Sequence, residues 1–159
     1  LLLGTGIRVS ECVGLNINDI DLDTCGARVY RKGGKESVIY FSDEVRDVLE
    51  DYLDEREMID AVPGNEDALF LSSQGKRIGV RTVQNMVKKY AQLVTPLKKI
   101  TPHKLRSTYG TSLYRETGDI YLVASVLGHN DVNTTRKHYA AQEEERRRSA
   151  RNVVRLRED

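Results

Sequence analysis

His103 and Arg106 stand three residues apart in His103-Lys104-Leu105-Arg106, and on a helix that spacing projects an imidazole and a guanidinium from one face. The pair suits a phosphate, because the guanidinium is planar and permanently charged and the imidazole beside it carries ring nitrogens that can hydrogen-bond a phosphate oxygen. Two further boxes carry related chemistry. In Thr5-Gly6-Ile7-Arg8-Val9-Ser10-Glu11 an arginine follows glycine at the opening of a helix, and in Leu127-Gly128-His129-Asn130 the glycine can end a helix and leave His129 on a loop. Tyr139 comes ten residues after His129. Taken singly, each box has an ordinary explanation as a surface pair, a helix start or a helix end. The other tyrosines, at 30, 40, 52, 90, 109, 114 and 121, lie outside the stretch that follows the third box, several of them at core periodicity.

The charge distribution gives these boxes a setting. The net charge is +1, but residues 1–70 carry 7 Lys/Arg against 16 Asp/Glu, a net of −9. Residues 71–115 hold ten cations (Lys76, Arg77, Arg81, Lys88, Lys89, Lys98, Lys99, Lys104, Arg106 and Arg115) and no acid, while residues 116–159 balance. Folded, such a stretch presents a positive surface suited to a polyanion such as duplex DNA.

The elements that position these residues are legible from pattern. Arg8–Leu15 reads as a short helix closed by Gly14, and Asn16–Asp23 as turns leading into extended chain. Arg28–Arg31 and Ser37–Phe41 flank Lys32-Gly33-Gly34-Lys35 as a β-hairpin that places two lysines at its tip. A helix is expected over 43–60, a short third strand at Ala68–Leu71, and a helix from Val80 that Thr95-Pro96 stops. Thr101-Pro102 can open a helix from His103 to about Glu116, closed by Gly118. Further helices fit Ile120–Leu127, Asn133–Ala140 and Glu143–Leu156.

At 159 residues, 39% hydrophobic and 31% charged, the chain has the balance of one ordinary globular domain without a linker or repeat. Leu1-Leu2-Leu3-Gly4 lacks the charged start and length of a signal peptide or membrane span, so a cytoplasmic protein with no membrane partner is expected. Cys12 and Cys25 form no CxxC pair and the three histidines lack zinc-finger spacing. No two-metal carboxylate constellation or phosphate loop is visible, so chemistry without metal or cofactor is expected.

In content and order, G-I-R-V-S-E, H-K-L-R, L-G-H-N and the tyrosine ten residues on resemble the tyrosine recombinase (phage integrase) family over essentially the whole chain. The resemblance implies the DNA breaking-rejoining fold, mainly α with a small antiparallel β-sheet, and site-specific recombination without metal or ATP. It assigns Arg8 and Arg106 to the non-bridging phosphate oxygens and Tyr139 to attack on phosphorus, giving a 3′-phosphotyrosine. His103 would help to remove the tyrosine proton, His129 would hydrogen-bond the phosphate, and Lys32, with Lys35 as the alternative, would protonate the leaving 5′-oxygen. Lys35, Lys76, Arg77, Arg81 and Lys104 are expected DNA contacts. The implied partners are double-stranded DNA at recombination sites and a tetramer formed on DNA through the C-terminal helix, Glu143–Arg157.

The pattern departs from the family in two places. Members carry an N-terminal core-binding domain and some helix before the first arginine box, whereas only seven residues precede Arg8. Ser107 stands where a further histidine often follows the second arginine. Type IB topoisomerase-like DNA relaxation, and a non-catalytic DNA-binding protein of the same fold, are the competing readings.

Overall fold

Period-two patterning accounts for the sheet. In the computed structural model, which describes residues 1–129 and 132–153, strands β1 (Ile20–Asp21), β2 (Gly26–Arg31) and β3 (Lys35–Tyr40) pair antiparallel in that order. Ala27 and Val29 of β2 are buried while Arg28 and Tyr30 are exposed, as expected of a strand with one face on a core. Arg31 falls in the same phase as Ala27 and Val29. The register runs from Gly26↔Tyr40 to Arg31↔Lys35, so the turn is Lys32-Gly33-Gly34. Both glycines have positive φ, 83° and 75°, a region that side chains with a Cβ disfavour. The expected hairpin is therefore present, with both lysines exposed at its tip.

The expected third strand is not part of this sheet. Residues 68–71 contribute only isolated bridges, Asn16↔Ala68 and Leu71↔Arg77, and β1 takes the edge instead. The reason lies in the backbone bonds: Ile17 N–H donates to Asp67 O and Leu69 N–H to Leu15 O, which ties this stretch to the loop before β1.

The helices are α1 (Leu2–Thr5), α2 (Val9–Val13), α3 (Asp43–Glu57), α4 (Val80–Val94), α5 (Pro102–Thr117), α6 (Ile120–Leu127), α7 (Val132–His138) and α8 (Ala140–Ala150). The chain divides into two units, Leu1–Tyr109 and Gly110–Asp159, with α5 contributing residues to both. The first unit is built on Ile7, Leu15, Val29, Ile39, Leu49 and Leu69. Ser42 caps α3 by accepting Val45 N–H. Arg56, near the end of α3, is 5% exposed and donates to Ala68 O at 3.0–3.1 Å and Glu66 O at 3.0 Å. Arg56→Met leaves these carbonyls without that donor and should cost about 2–4 kcal/mol, read as a lower urea midpoint. A loss under about 0.5 kcal/mol would show that the carbonyls find other donors.

α4 is amphipathic as its periodicity predicts, yet none of its residues is buried. Its apolar face, including Val83, Val87 and Tyr90, lines an open groove of about 670 Å³ together with Leu1, Phe70 and Leu105. At the start of α5 the expected cap is present, with Thr101 Oγ1 accepting Lys104 N–H at 3.2 Å.

In the second unit Tyr114, Ile120, Val123, Ala124 and Leu127 are buried. α6 has the bounds its pattern predicts; Asp119 caps it by accepting Tyr121 and Leu122 N–H, and Gly128 closes it in the left-handed conformation. The expected terminal helix over Glu143–Leu156 begins earlier, as α8, and ends at Ala150; Leu156 and Arg157 lie outside the described residues. Arg146 of α8 donates to Tyr114 O at 3.1 Å and Arg115 O at 2.9 Å, and its guanidinium lies 5.2 Å from the Tyr114 ring centroid. These bonds satisfy carbonyls near the end of α5.

Candidate active site

The first unit joins two of the sequence boxes. Arg106 points inward from α5, is 6% exposed, and its Nη1 donates to Gly6 O at 2.6 Å, two residues before Arg8 and a hundred positions away in sequence. Arg8 is the N-cap of α2, with 39% of its side chain exposed. Its backbone N–H donates to Glu11 Oε1 at 2.8 Å and its Nη1 lies 3.3 Å from Glu11 Oε2. Arg8 is thereby held at its own helix start while part of its side chain remains accessible. His103 and Lys104 are exposed in the first turn of α5.

A residue that the motif reading missed completes this cluster. Arg31, the last residue of β2, places Nε 3.6 Å from Glu11 Oε2, and its side chain is 7% exposed. Its inward phase, two residues after Val29, was the available signal. Glu11 was visible only as part of the first box, without a role.

The second unit carries the remaining pair. Gly128 leaves α6, and His129 N–H donates to Ala124 O at 2.9 Å, so the histidine stands at the helix end as expected. Its Nδ1 is hydrogen-bonded to Thr135 Oγ1. Thr135 is fully buried, and its carbonyl accepts Tyr139 N–H at 3.1 Å, linking the two candidate residues through one threonine. No sequence signal marked Thr135. Asn130, the last residue of the third box, lies outside the described residues.

Tyr139 occupies the N-cap position of α8, 4% exposed, between Tyr114 (ring centroids 5.9 Å apart, 19° between planes) and His138 (4.8 Å, edge-on). Its hydroxyl lies against Gly110 where a Cβ would otherwise stand. Gly110→Ala therefore has no room for its methyl unless the Tyr139 ring moves. Overpacking of this kind should cost about 1–3 kcal/mol and displace the hydroxyl. Chemical denaturation checks the first effect; a changed rate of tyrosine nitration at position 139 checks the second, and unchanged values for both would show that the contact yields freely.

Of the expected DNA-facing cations, Lys35, Lys76, Arg81 and Lys104 are exposed. Arg77 differs. Its Nη1 donates to Val13 O at 3.1 Å and Leu15 O at 2.9 Å, and its Nη2 to Asn16 Oδ1, so the guanidinium braces the loop after α2 instead of facing outward. Three internal acceptors satisfy a fork of donors that a surface position would leave to water. Among the described residues no cluster of His, Cys, Asp or Glu is arranged to hold a metal ion, and no helix is long and apolar enough to cross a membrane.

This fold, mainly helical with one small three-stranded antiparallel sheet, is that of tyrosine recombinase catalytic domains. Superposed on XerA recombinase it gives a TM-score of 0.81 with 33% identity, covering 92% of this chain and 55% of that one. The fold is shared also with XerH recombinase bound to palindromic difH substrate, at a TM-score of 0.79 and 24% identity over 96% of this chain and 43% of that one. In sequence the chain is 36% identical over 138 residues to tyrosine recombinase XerC of Thermodesulfovibrio yellowstonii, covering 85% of this chain and 46% of that protein. It is likewise 36% identical over 136 residues to XerD of Oceanobacillus iheyensis, with the same coverage of 85% and 46%. Residues 1–146 match the phage integrase family, and the chain belongs to that family. It spans about half the length of the curated relatives it matches.

Proposed function

We propose that this chain is the catalytic part of a site-specific DNA recombinase that cleaves and rejoins strands through a covalent tyrosine intermediate. The observation that carries the reading is the bond from Arg106 to Gly6 O, which brings the second arginine box against the first. Two guanidiniums from distant segments are what a phosphodiester's two non-bridging oxygens require, and their charge counts most as negative charge develops in the transition state.

In the proposed step Tyr139 Oη forms a bond to phosphorus as the bond from phosphorus to the 5′-oxygen breaks. The DNA is left as a 3′-phosphotyrosine and a free 5′-hydroxyl. Lys32, or Lys35 beside it, gives a proton to the leaving oxygen, and His103 assists removal of the tyrosine proton. His129, oriented through Thr135, hydrogen-bonds the phosphate. Attack by a 5′-hydroxyl reverses the step, so the phosphodiester energy is conserved and neither ATP nor a metal is required. Lys35, Lys76, Arg81 and Lys104 contact the duplex backbone, which makes binding strongly salt-dependent. Recombination proceeds in a tetramer on DNA, with C-terminal helices joining neighbouring protomers, in the cytoplasm at the nucleoid.

The test is incubation of the full-length protein with nicked or half-site DNA, followed by denaturing electrophoresis and peptide mapping. A DNA-linked peptide containing Tyr139 is the expected result. Binding without any adduct would instead identify a DNA-binding protein that has kept the fold and lost the chemistry.

A further inference from the structure

The inward face of β2 ends in a charge. Ala27 and Val29 are each 1% exposed, and Arg31, in the same phase, keeps 7% of its side chain accessible, with Nε and Nη1 shut off from solvent. Taking a guanidinium out of water is unfavourable unless a counter-charge accompanies it. Glu11 is that counter-charge. Its side chain is 3% exposed, and its Oε2 lies 3.6 Å from Arg31 Nε and 3.3 Å from Arg8 Nη1. Its Oε1 accepts the Arg8 backbone N–H. One carboxylate is thus gripped between the arginine that opens α2 and the arginine that ends β2. The residue after Arg31 is Lys32, at the start of the two-glycine turn.

We propose that Arg31 is a positioning residue for strand transfer: by holding Glu11 it fixes the base of the lysine turn against the Arg8 end of α2. This rests on the strand-transfer reading above. A lysine beside two glycines has wide conformational freedom, and a general acid works only within hydrogen-bond reach of the leaving oxygen. Anchoring the last residue of the strand in a water-poor ion pair confines that freedom to three residues. The anchor does not contact phosphate itself, because the side chain is closed to solvent where Arg8 is open. Core filling does not account for it either, since an apolar residue in this phase would fill the same space without the desolvation cost. Misplacing a reacting group by about 1 Å can cost on the order of 10²-fold in rate, and that sets the expected scale.

The experiment measures adduct formation by the full-length protein on half-site DNA with an ordinary 5′-oxygen leaving group and on the same DNA with sulfur at that bridging position. A thiolate leaves without needing the proton. Arg31→Met should slow cleavage about 10- to 100-fold on the oxygen substrate and less than about threefold on the sulfur substrate, with Arg31→Lys recovering part of the rate. Equal slowing on both substrates, or none on either, overturns the proposal. Should Arg31→Met fail to fold, the same comparison between substrates for Arg31→Lys decides. Absence of any adduct from the wild-type protein would sink the strand-transfer reading instead. Arg31's hold on the turn is then read from amide hydrogen exchange at Gly33 and Gly34: faster exchange in the variant supports it, and unchanged exchange refutes it.

Discussion

Tyr139→Phe should abolish the proposed covalent protein–DNA adduct while leaving DNA affinity within about threefold, or about 0.7 kcal/mol. The substitution removes one oxygen. A phenyl ring keeps the stack on Tyr114 and the edge contact with His138, and it adds no atom beside Gly110, so the second unit should remain folded. A lost neutral hydrogen bond would account for only about 1 kcal/mol of stability. Loss of the proposed nucleophile, by contrast, should leave no covalent route at all. Thermal unfolding, electrophoretic DNA binding and adduct yield separate these effects. Adduct persisting in Tyr139→Phe would move the nucleophile to another of the eight tyrosines and undo the assignment.

Arg106→Lys has the second largest expected effect, because the side chain has two duties. It braces Gly6 O at the foot of the first box, and in the proposed reaction it receives a non-bridging oxygen. Lysine keeps the charge but replaces a planar fork of donors by a single ammonium that cannot serve both partners in a fixed geometry. Cleavage should fall about 10²–10³-fold, the scale seen when one donor to a developing oxyanion is removed. Stability should fall by about 1.5–3 kcal/mol, the usual size of a hydrogen bond to a charged group. Cleavage within about threefold of wild type, together with that stability loss, would mark Arg106 as purely structural. Measuring the rate at saturating DNA keeps weaker binding from imitating weaker chemistry.

Much of this was legible one segment at a time. The hairpin was, because Gly33 and Gly34 are the residues that tolerate the positive φ of its turn. The extent of α6 was, because an apolar run closes on Gly128, and the start of α5 because Thr101-Pro102 is a helix opening. The third strand was misplaced: Ala68–Leu71 has the composition of a strand, but its backbone partners are Leu15 and Asn16, far away in sequence, and Arg77 and Ile78 across the following turn, none of them in the sheet. α4 was foreseen with its apolar face, though periodicity could not tell that this face lines an open groove.

For the candidate site the division is the same. By itself the sequence determined which side chains are on offer, two arginines, two histidines, a hairpin lysine and a tyrosine, together with the local turns and caps that present them. Such features depend on backbone sterics and periodicity over a few residues, so they are readable wherever they occur. Only the tertiary structure decided that Arg106 reaches Gly6, that Arg31 shares Glu11 with Arg8, that Thr135 ties His129 to Tyr139, and that Arg77 turns inward. Each of these depends on which carbonyl, carboxylate or hydroxyl the packing brings within hydrogen-bond or ion-pair reach of a donor, and the pattern of the sequence does not encode that reach.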